Sequence, residues 1–472
     1  MNHQKASKYA MIGMDLFSFC LSFFLVLLLI STTFGELSKF IPLGEMEERA
    51  LIHFGLALLC VGWFWGRLRH YTYRKPFWFE LKEILRTLLI FSVIDLAILS
   101  LSKLYVSRYV WLFTWLIILV LFPLSRILLK SCLIRKGWFL KDTVIIGGKA
   151  NAVDTYNAII NERYLGLNIK YFITDTPDAN LKALGKDILS YKQLDEYWKI
   201  LAPSTQFMIA LEDSENTKRD TWIRNLTKKG YRFISIIPSL RGLPLYSTDM
   251  SFLFSYEIIL LRINHNLAKR SSKIIKRTMD IALSSILLFF FSPILFFIWL
   301  IISCSGGKAL YSHTRIGREG KPFQCWKFRS MKKNADEILR VYLDENPQAY
   351  DEWYRERKLR NDPRITKFGD LLRKFSLDEL PQLYNVLVGE MSLVGPRPIT
   401  SDELKYYRNS LDYYFMSKPG MTGLWQVSGR NNVSYDTRVY FDAWYVKNWS
   451  VWNDIVILCK TVPAVFKRTG AM

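Results

Sequence analysis

The chain has 472 residues, a formal net charge of +22, a half-hydrophobic composition and 15% aromatic residues. That length allows two or three domains, and the apolar content exceeds what a soluble protein of this size needs. The charge suits an anionic membrane surface and anionic substrates rather than nucleic acid, which would leave the long apolar runs unexplained.

Four apolar segments occupy the first 130 residues: Met11–Ser31, Leu51–Leu68, Ile84–Ser102 and Tyr109–Leu129. Each approaches the roughly 20 residues that a helix needs to cross a bilayer. The second is the shortest and carries His53. Basic residues follow the second segment (Arg67, Arg69, Arg74, Lys75, Lys82) and the fourth (Arg126, Lys130, Arg135, Lys136), while the first link is acidic (Glu36, Glu45, Glu47, Glu48). The positive-inside rule then places both ends of a four-helix bundle, residues 1–140, in the cytoplasm.

From Lys141 the pattern alternates. Strand-like runs at Thr143–Ile146, Ile169–Thr174, Gln206–Leu211 and Arg232–Ile237, with a helix-like stretch at Ala150–Glu162, predict a small Rossmann-like α/β module over 141–262. Its glycine motif, Gly147-Gly148 followed by Lys149-Ala150, lacks a clean GxGxxG, so a structural or regulatory role is favoured over a dinucleotide site.

Lys269–Arg277 carries five basic residues, and the apolar stretch Ile281–Ile302 follows, with Ser292-Pro293 in its middle. The half before the proline has 12 residues, roughly 18 Å of helix against a hydrocarbon core of roughly 30 Å. Basic residues flank both sides, with Lys308, Arg315 and Arg318 downstream. A re-entrant helix-break-helix hairpin over 280–303, both ends cytoplasmic, is therefore expected, with a straight fifth span as the alternative.

The remainder, within a mainly α domain over 263–472, holds the chemistry. Lys327 and Arg329 lie in KFRSM, Arg373, Asp378 and Glu379 in RKFSLDELPQL, and Arg397 in SLVGPRP. Ser376-x-x-Glu379 also reads as a helix capping box, a purely structural use of the same carboxylate. Beside forked guanidinium groups, however, adjacent carboxylates suit a phosphate and Mg²⁺ site, one binding the ion and the other attacking phosphorus. PGMTGLWQVSGR contains Gly423, Gln426 and Arg430; its glycines permit close approach to a ligand, or simply make a turn-rich loop. Tyr440, Phe441, Trp444, Tyr445, Trp449 and Trp452 crowd the C-terminal part and fit interfacial helices. The six cysteines show no CxxC or zinc-like spacing and the five histidines no HExxH, which removes support for a zinc site or a Ser/His/Asp hydrolase.

KFRSM, NDPRIT, RKFSLDELPQL, SLVGPRP and PGMTGLWQVSGR occur in the order found in the bacterial sugar transferase family, the monotopic-type phosphoglycosyl transferases, and closely resemble its catalytic domain. The bundle and α/β module resemble the large members, most of all the undecaprenyl-phosphate galactose phosphotransferases, and that likeness includes Arg241-Gly242-Leu243-Pro244-Leu245-Tyr246. The resemblance implies transfer of a hexose-1-phosphate from a UDP-hexose to undecaprenyl phosphate at the bacterial inner membrane. Galactose is the expected sugar and glucose the alternative, in O-antigen, capsule or exopolysaccharide synthesis. It implies Asp378 as covalent nucleophile, Glu379 as Mg²⁺ ligand, and Arg373 and Arg397 as phosphate grips. Lys327 and Arg329 would meet a lipid or sugar phosphate, and the loop of Gly423, Gln426 and Arg430 would lie at the nucleotide sugar. It also implies a cytoplasmic catalytic domain, a non-catalytic α/β module and a homodimer.

Overall fold

The computed structural model describes residues 2–35, 37–102, 104–105, 107–191, 198, 201–239, 248–253, 258–263, 266–356, 359, 362–428 and 434–466. The chain divides into two compact units, Met1–Leu240 and Arg241–Met472. Among the described residues, five helices are long and apolar enough to cross a membrane.

Four of them belong to the first unit: α1 (Asn2–Phe34), α2 (Met46–Gly66), α3 (Phe77–Ser102) and α4 (Arg108–Arg135). One face of each packs inward through residues such as Phe19, Leu56, Phe64, Leu88, Trp115 and Phe122. Phe24, Phe54, Leu89 and Leu128 stay exposed, as a lipid-facing surface requires. His53 turns inward, its Nε2 3.0 Å from the Phe19 carbonyl.

Two basic residues read as flanking charges are instead buried within the bundle. Arg126 pairs with Asp15 and Glu80, and Lys130 Nζ lies 2.7 Å from Glu80 Oε2. Arg49 grips Asp95 through two bonds of 2.6 and 2.9 Å, and Trp115 Nε1 donates to the same carboxylate at 2.8 Å. In lipid an unpaired charge is costly, so each of these finds an opposite partner on another helix.

The α/β module is a five-stranded parallel sheet in the order β3-β2-β1-β4-β5. Its strands are β1 (Lys141–Ile146), β2 (Leu167–Ile173), β3 (Asp187–Leu189), β4 (Gln206–Ile209) and β5 (Ile234–Ile236). After β1 comes helix α5 (Ala150–Asn161). In dinucleotide-binding relatives of this topology, a pyrophosphate sits on the N-terminus of that helix. Here the Asn151 N–H donates to Glu212 Oε1 at 2.9 Å, so the chain's own carboxylate stands there.

The second unit includes an antiparallel hairpin, β6 (Thr248–Leu253) and β7 (Ile258–Ile263). The division at Leu240 thus falls before the 262/263 boundary read from the sequence. Helix α6 (Arg270–Cys304) follows. It runs unbroken through Ser292 and Pro293, where the sequence suggests a gap between two helices. A proline at 293 deprives the Phe289 carbonyl of its helical donor. Ser292 Oγ supplies the missing bond at 2.7 Å, which lets the helix continue.

The basic run entering α6 is an anchor as well as a flank. Lys276 is buried; its Nζ donates to Asp454 Oδ2 (2.8 Å) and to the Val394 carbonyl (3.0 Å). Arg277 donates to the Val386 and Leu387 carbonyls at 2.6 and 2.7 Å. Asp280 accepts from Ser392 Oγ and from the Leu393 N–H, both at 3.0 Å. Tyr445 and Trp449, read as interfacial, are buried, and both donate to Asp454. The aromatic crowding there serves a polar-tipped core, although Tyr440 remains exposed.

Candidate active site

The elements of the second unit that bear on the site are β8 (Leu310–Ile316), β9 (Pro322–Phe328), α7 (Lys367–Lys374), α8 (Gln382–Val388), β10 (Ser392–Val394), β11 (Gly420–Thr422), α9 (Leu424–Ser428), α10 (Tyr435–Lys447) and α11 (Val451–Phe466). β8 and β9 form an antiparallel hairpin and β10 pairs in parallel with β11.

Lys327 comes from β9, whose position is fixed by Asn385 on α8. That buried amide donates to the Gln324 carbonyl at 2.7 Å and accepts from the Trp326 N–H at 3.1 Å. Arg373 comes from α7. The helix lies close on the KFRS backbone because Gly369 faces the Ser330 carbonyl, where any Cβ would collide. Thr366 caps α7, and Arg373 Nε donates to Ser330 Oγ at 2.9 Å.

Asp378 and Glu379 sit on a single 3-10 turn, Leu377–Glu379. The capping-box reading does not survive. Ser376 makes no side-chain cap bond, and its backbone is left-handed at φ 55°. A non-glycine residue held there is strained, a feature that concentrates at functional sites. Glu379 turns instead to β9, where Lys327 Nζ donates to its Oε1 at 2.5 Å. Burial and the neighbouring Glu379 charge push the Asp378 carboxyl up to about 6, against the pull of Lys327 and Arg373. Burial works to lower the Lys327 pKa, but the charge and hydrogen bond of Glu379 outweigh it and raise it.

A pocket brings four of the sequence candidates together: Lys327, Glu379, Arg397 and Gln426 line it, with Arg315, Cys325, Gln382, Pro398, Gly420 and Met421. Asp378 adjoins it through Glu379. Arg329 is drawn elsewhere. Its Nη2 reaches the Ile302 and Gly306 carbonyls at 3.2 and 2.6 Å and Ser305 Oγ at 3.1 Å, closing the end of α6 rather than facing the pocket. Gly423 has a packing role: a Cβ there would strike the Gly395 carbonyl, so its smallness lets the two glycine loops meet. Arg430, Asn361 and residues 241–246 lie outside the described residues.

Two contributors escaped the sequence reading. Arg315 reached it only as a flanking charge, yet it lines the pocket and donates to Glu403 Oε2 at 3.4 Å. Asp442 is fully buried and is pushed up to about 7 by that burial, against the hydrogen bond from Tyr407. It accepts from Tyr407 Oη at 2.7 Å and from the backbone N–H of Arg397, fixing the Pro396-Arg397-Pro398 frame from behind. A lone acid inside YFDAWY was the available signal.

No group of three or more His, Cys, Asp or Glu arranged for a metal occurs among the described residues. The site therefore offers one or two carboxylates, the donor set through which Mg²⁺ shares its shell with water and substrate phosphates.

Residues 271–468 match the bacterial sugar transferase family. The whole chain is 54% identical to an uncharacterized sugar transferase of Haemophilus influenzae, covering all of both chains. It is 50% identical to the undecaprenyl-phosphate galactose phosphotransferase of Salmonella typhimurium, covering 97% of this chain and 96% of the relative. The UDP-galactose-lipid carrier transferase of Erwinia amylovora is 48% identical with the same coverage. Identity of this order, sustained through the bundle, the α/β module and the pocket, shows that the chain belongs to the bacterial sugar transferase family and is an enzyme of that family.

Proposed function

We propose that this membrane enzyme transfers a hexose-1-phosphate from a UDP-hexose to undecaprenyl phosphate and releases UMP. The carrying observation is the convergence of Lys327, Glu379, Arg397 and Gln426 on one pocket, with the desolvated Asp378 on the same turn as Glu379. A carboxylate whose pKa is raised is a better nucleophile while still ionised at neutral pH.

In the first half-reaction an Asp378 carboxylate oxygen forms a bond to the β-phosphorus. The bond from that phosphorus to the bridging oxygen breaks, and UMP leaves with the electron pair. In the second, an oxygen of the lipid phosphate attacks the same phosphorus and the bond to Asp378 breaks, freeing the carboxylate. Arg397 and Arg373 hold phosphate oxygens, and Lys327 keeps Glu379 oriented. Glu379, with Asp378 beside it, would hold Mg²⁺, which when bound offsets the charge developing on the phosphate oxygens.

Galactose is the preferred hexose because two full-length relatives carry it in their names; glucose is the alternative. The membrane is the bacterial inner membrane and the site faces the cytoplasm, where nucleotide sugars occur. Both ends of α6 are held within the second unit, by Lys276 and Asp280 at one end and by Arg329 at the other, while Phe289 and Phe290 between them are exposed. Anchoring of both ends to the same unit supports a helix that bends at Pro293, with Ser292 Oγ making good the lost bond, and returns to the side it entered. The family resemblance adds the expectation of a homodimer, which native mass spectrometry of the extracted protein checks. The reading is tested by a UMP-release screen over UDP-sugars with undecaprenyl phosphate and Mg²⁺. UDP-galactose should give the fastest release, and no release from any UDP-sugar would overturn the proposal.

A further inference from the structure

Next to the pocket, the Trp425 ring is flanked by two guanidinium groups. Arg438 Cζ lies 4.6 Å from its centre and Arg397 Cζ 5.9 Å, and Arg438 also lies 5.2 Å from the Tyr435 ring. Five buried polar atoms gather here without a hydrogen-bond partner: Trp425 Nε1, Gln426 Oε1, Tyr435 Oη, and Arg438 Nε and Nη2. Native proteins satisfy buried polar atoms, so a cluster of orphans needs an explanation. Gln426 and Arg397, which flank or belong to the cluster, also line the pocket with Lys327 and Glu379, so the cluster borders the site.

The open atoms specify a ligand. Nε and Nη2 form the side edge of the guanidinium, whose two parallel N–H bonds match two oxygens of one phosphate. Trp425 Nε1 and Tyr435 Oη add donors. Gln426 Nε2 already donates to the Met421 carbonyl at 3.2 Å, which leaves Oε1 waiting for a hydroxyl or N–H. Asp442 and Glu403 both act on this cluster beside Arg397 and Arg438, so it is the open N–H edge of Arg438, rather than a net charge, that calls for an anion. We infer that Arg438, with Trp425 and Tyr435, binds the α-phosphate of the nucleotide sugar, the group that departs as UMP, and that Gln426 accepts from a hydroxyl of its ribose. A polyprenyl phosphate offers no such hydroxyl. The inference rests on the proposed transferase reading, in which the β-phosphorus must face Asp378 and a separate group must take the other phosphate.

The test uses the full-length protein in membrane nanodiscs, with UMP as the probe. Titration calorimetry measures UMP affinity in wild type, Arg438→Met, Arg438→Lys and Trp425→Phe, and steady-state assays give KM for UDP-galactose and for undecaprenyl phosphate. Arg438→Met should weaken UMP binding and raise KM for UDP-galactose by roughly tenfold or more, as expected for loss of a charged bidentate contact. KM for undecaprenyl phosphate should stay put. Trp425→Phe keeps the ring and loses one donor, so its effect should be smaller and in the same direction. If Arg438→Met does not fold, Arg438→Lys, which keeps the charge but not the fork, serves as the deciding variant. Unchanged UMP affinity in the folded variants, or a shift confined to the lipid KM, would overturn the inference. These outcomes separate from those of the broader reading. A wild type that binds UMP through Arg438 but turns over no UDP-sugar sinks the transferase proposal alone, and an active wild type with Arg438-independent UMP binding sinks only this inference.

Discussion

Lys327 Nζ on β9 donates to Glu379 Oε1 on the 3-10 turn at 2.5 Å, tying one carboxylate of the Asp-Glu pair to a fixed cation. The other carboxylate, Asp378, feels both charges: Glu379 raises its pKa and Lys327 lowers it. This gives a signed pH prediction. In the proposed route, loading of the enzyme with phosphosugar needs ionised Asp378, so single-turnover UMP release should fall as pH drops through about 6. Glu379→Gln removes a raising charge and should move the midpoint down. Lys327→Met removes a lowering charge and should move it up. Rapid-quench profiles of the three proteins check this, and midpoints that coincide would contradict it.

Asp378→Asn should abolish turnover, by roughly 10³-fold or more. With a UDP-sugar labelled in the β-phosphate and no lipid, label should appear on the peptide containing residues 376–382. It should be absent in Asp378→Asn and discharged by undecaprenyl phosphate. The same substitution should also affect stability. The carboxyl sits at about 6 in the fold against 3.8 ordinarily, so ionising it favours the unfolded chain. That cost is absent below about pH 4, grows between about 4 and 6, and is constant above. Asp378→Asn should therefore raise the melting temperature at pH 8 and leave it unchanged at pH 4, as scanning fluorimetry would show.

Arg329→Ala should weaken the fold rather than substrate binding. Its guanidinium satisfies two carbonyls and a hydroxyl at the end of α6, and loss of charged hydrogen bonds of this kind costs about 1.5–3 kcal/mol each at most. A lowered melting temperature with KM for UDP-galactose unmoved is the expected pattern. Arg397→Ala should do the reverse.

Single cysteines near Lys273 and Lys308, in a cysteine-free background, should both be labelled from the cytoplasmic side alone. Pro293→Leu should favour spanning by removing the proline ring's clash with the preceding turn and returning a backbone N–H to the Phe289 carbonyl, which straightens the helix. Periplasmic labelling of either position in the parent protein would establish a straight fifth span instead.

The sequence carried the pocket well because motif order and residue type are local. Lys327, Glu379, Arg397 and Gln426 were legible as candidates, and the fold brings them together. Sidedness was not legible. Lys327 and Arg329 are two residues apart, yet the first meets Glu379 and the second closes α6. Once β9 passes into the following turn, strand alternation no longer says which way a side chain leaves. Ser376-x-x-Glu379 satisfied a capping pattern, but the left-handed backbone at Ser376 removed the geometry that a cap needs. Arg126, Lys130 and Lys276 looked like interfacial charges, since the acids that bury them, Asp15, Glu80 and Asp454, lie 111, 50 and 178 residues away. The parallel sheet was foreseen from its alternation, whereas Glu212 at the α5 N-terminus required the tertiary structure.

Asp280 holds Ser392 and Leu393, and the chain then runs directly to Gly395, Pro396 and Arg397. The helix proposed to sit in the lipid and the loop that carries the pocket guanidinium are thus joined by a stiff strut only a few residues long. Like the keel and deck of a boat, they rise and sink together. On the proposed reading, the draught of α6 would set the height of Arg397 above the acyl chains, and so the level at which a lipid phosphate reaches it. A thinner or thicker bilayer would then retune the enzyme toward its lipid substrate without touching the chemistry at Asp378.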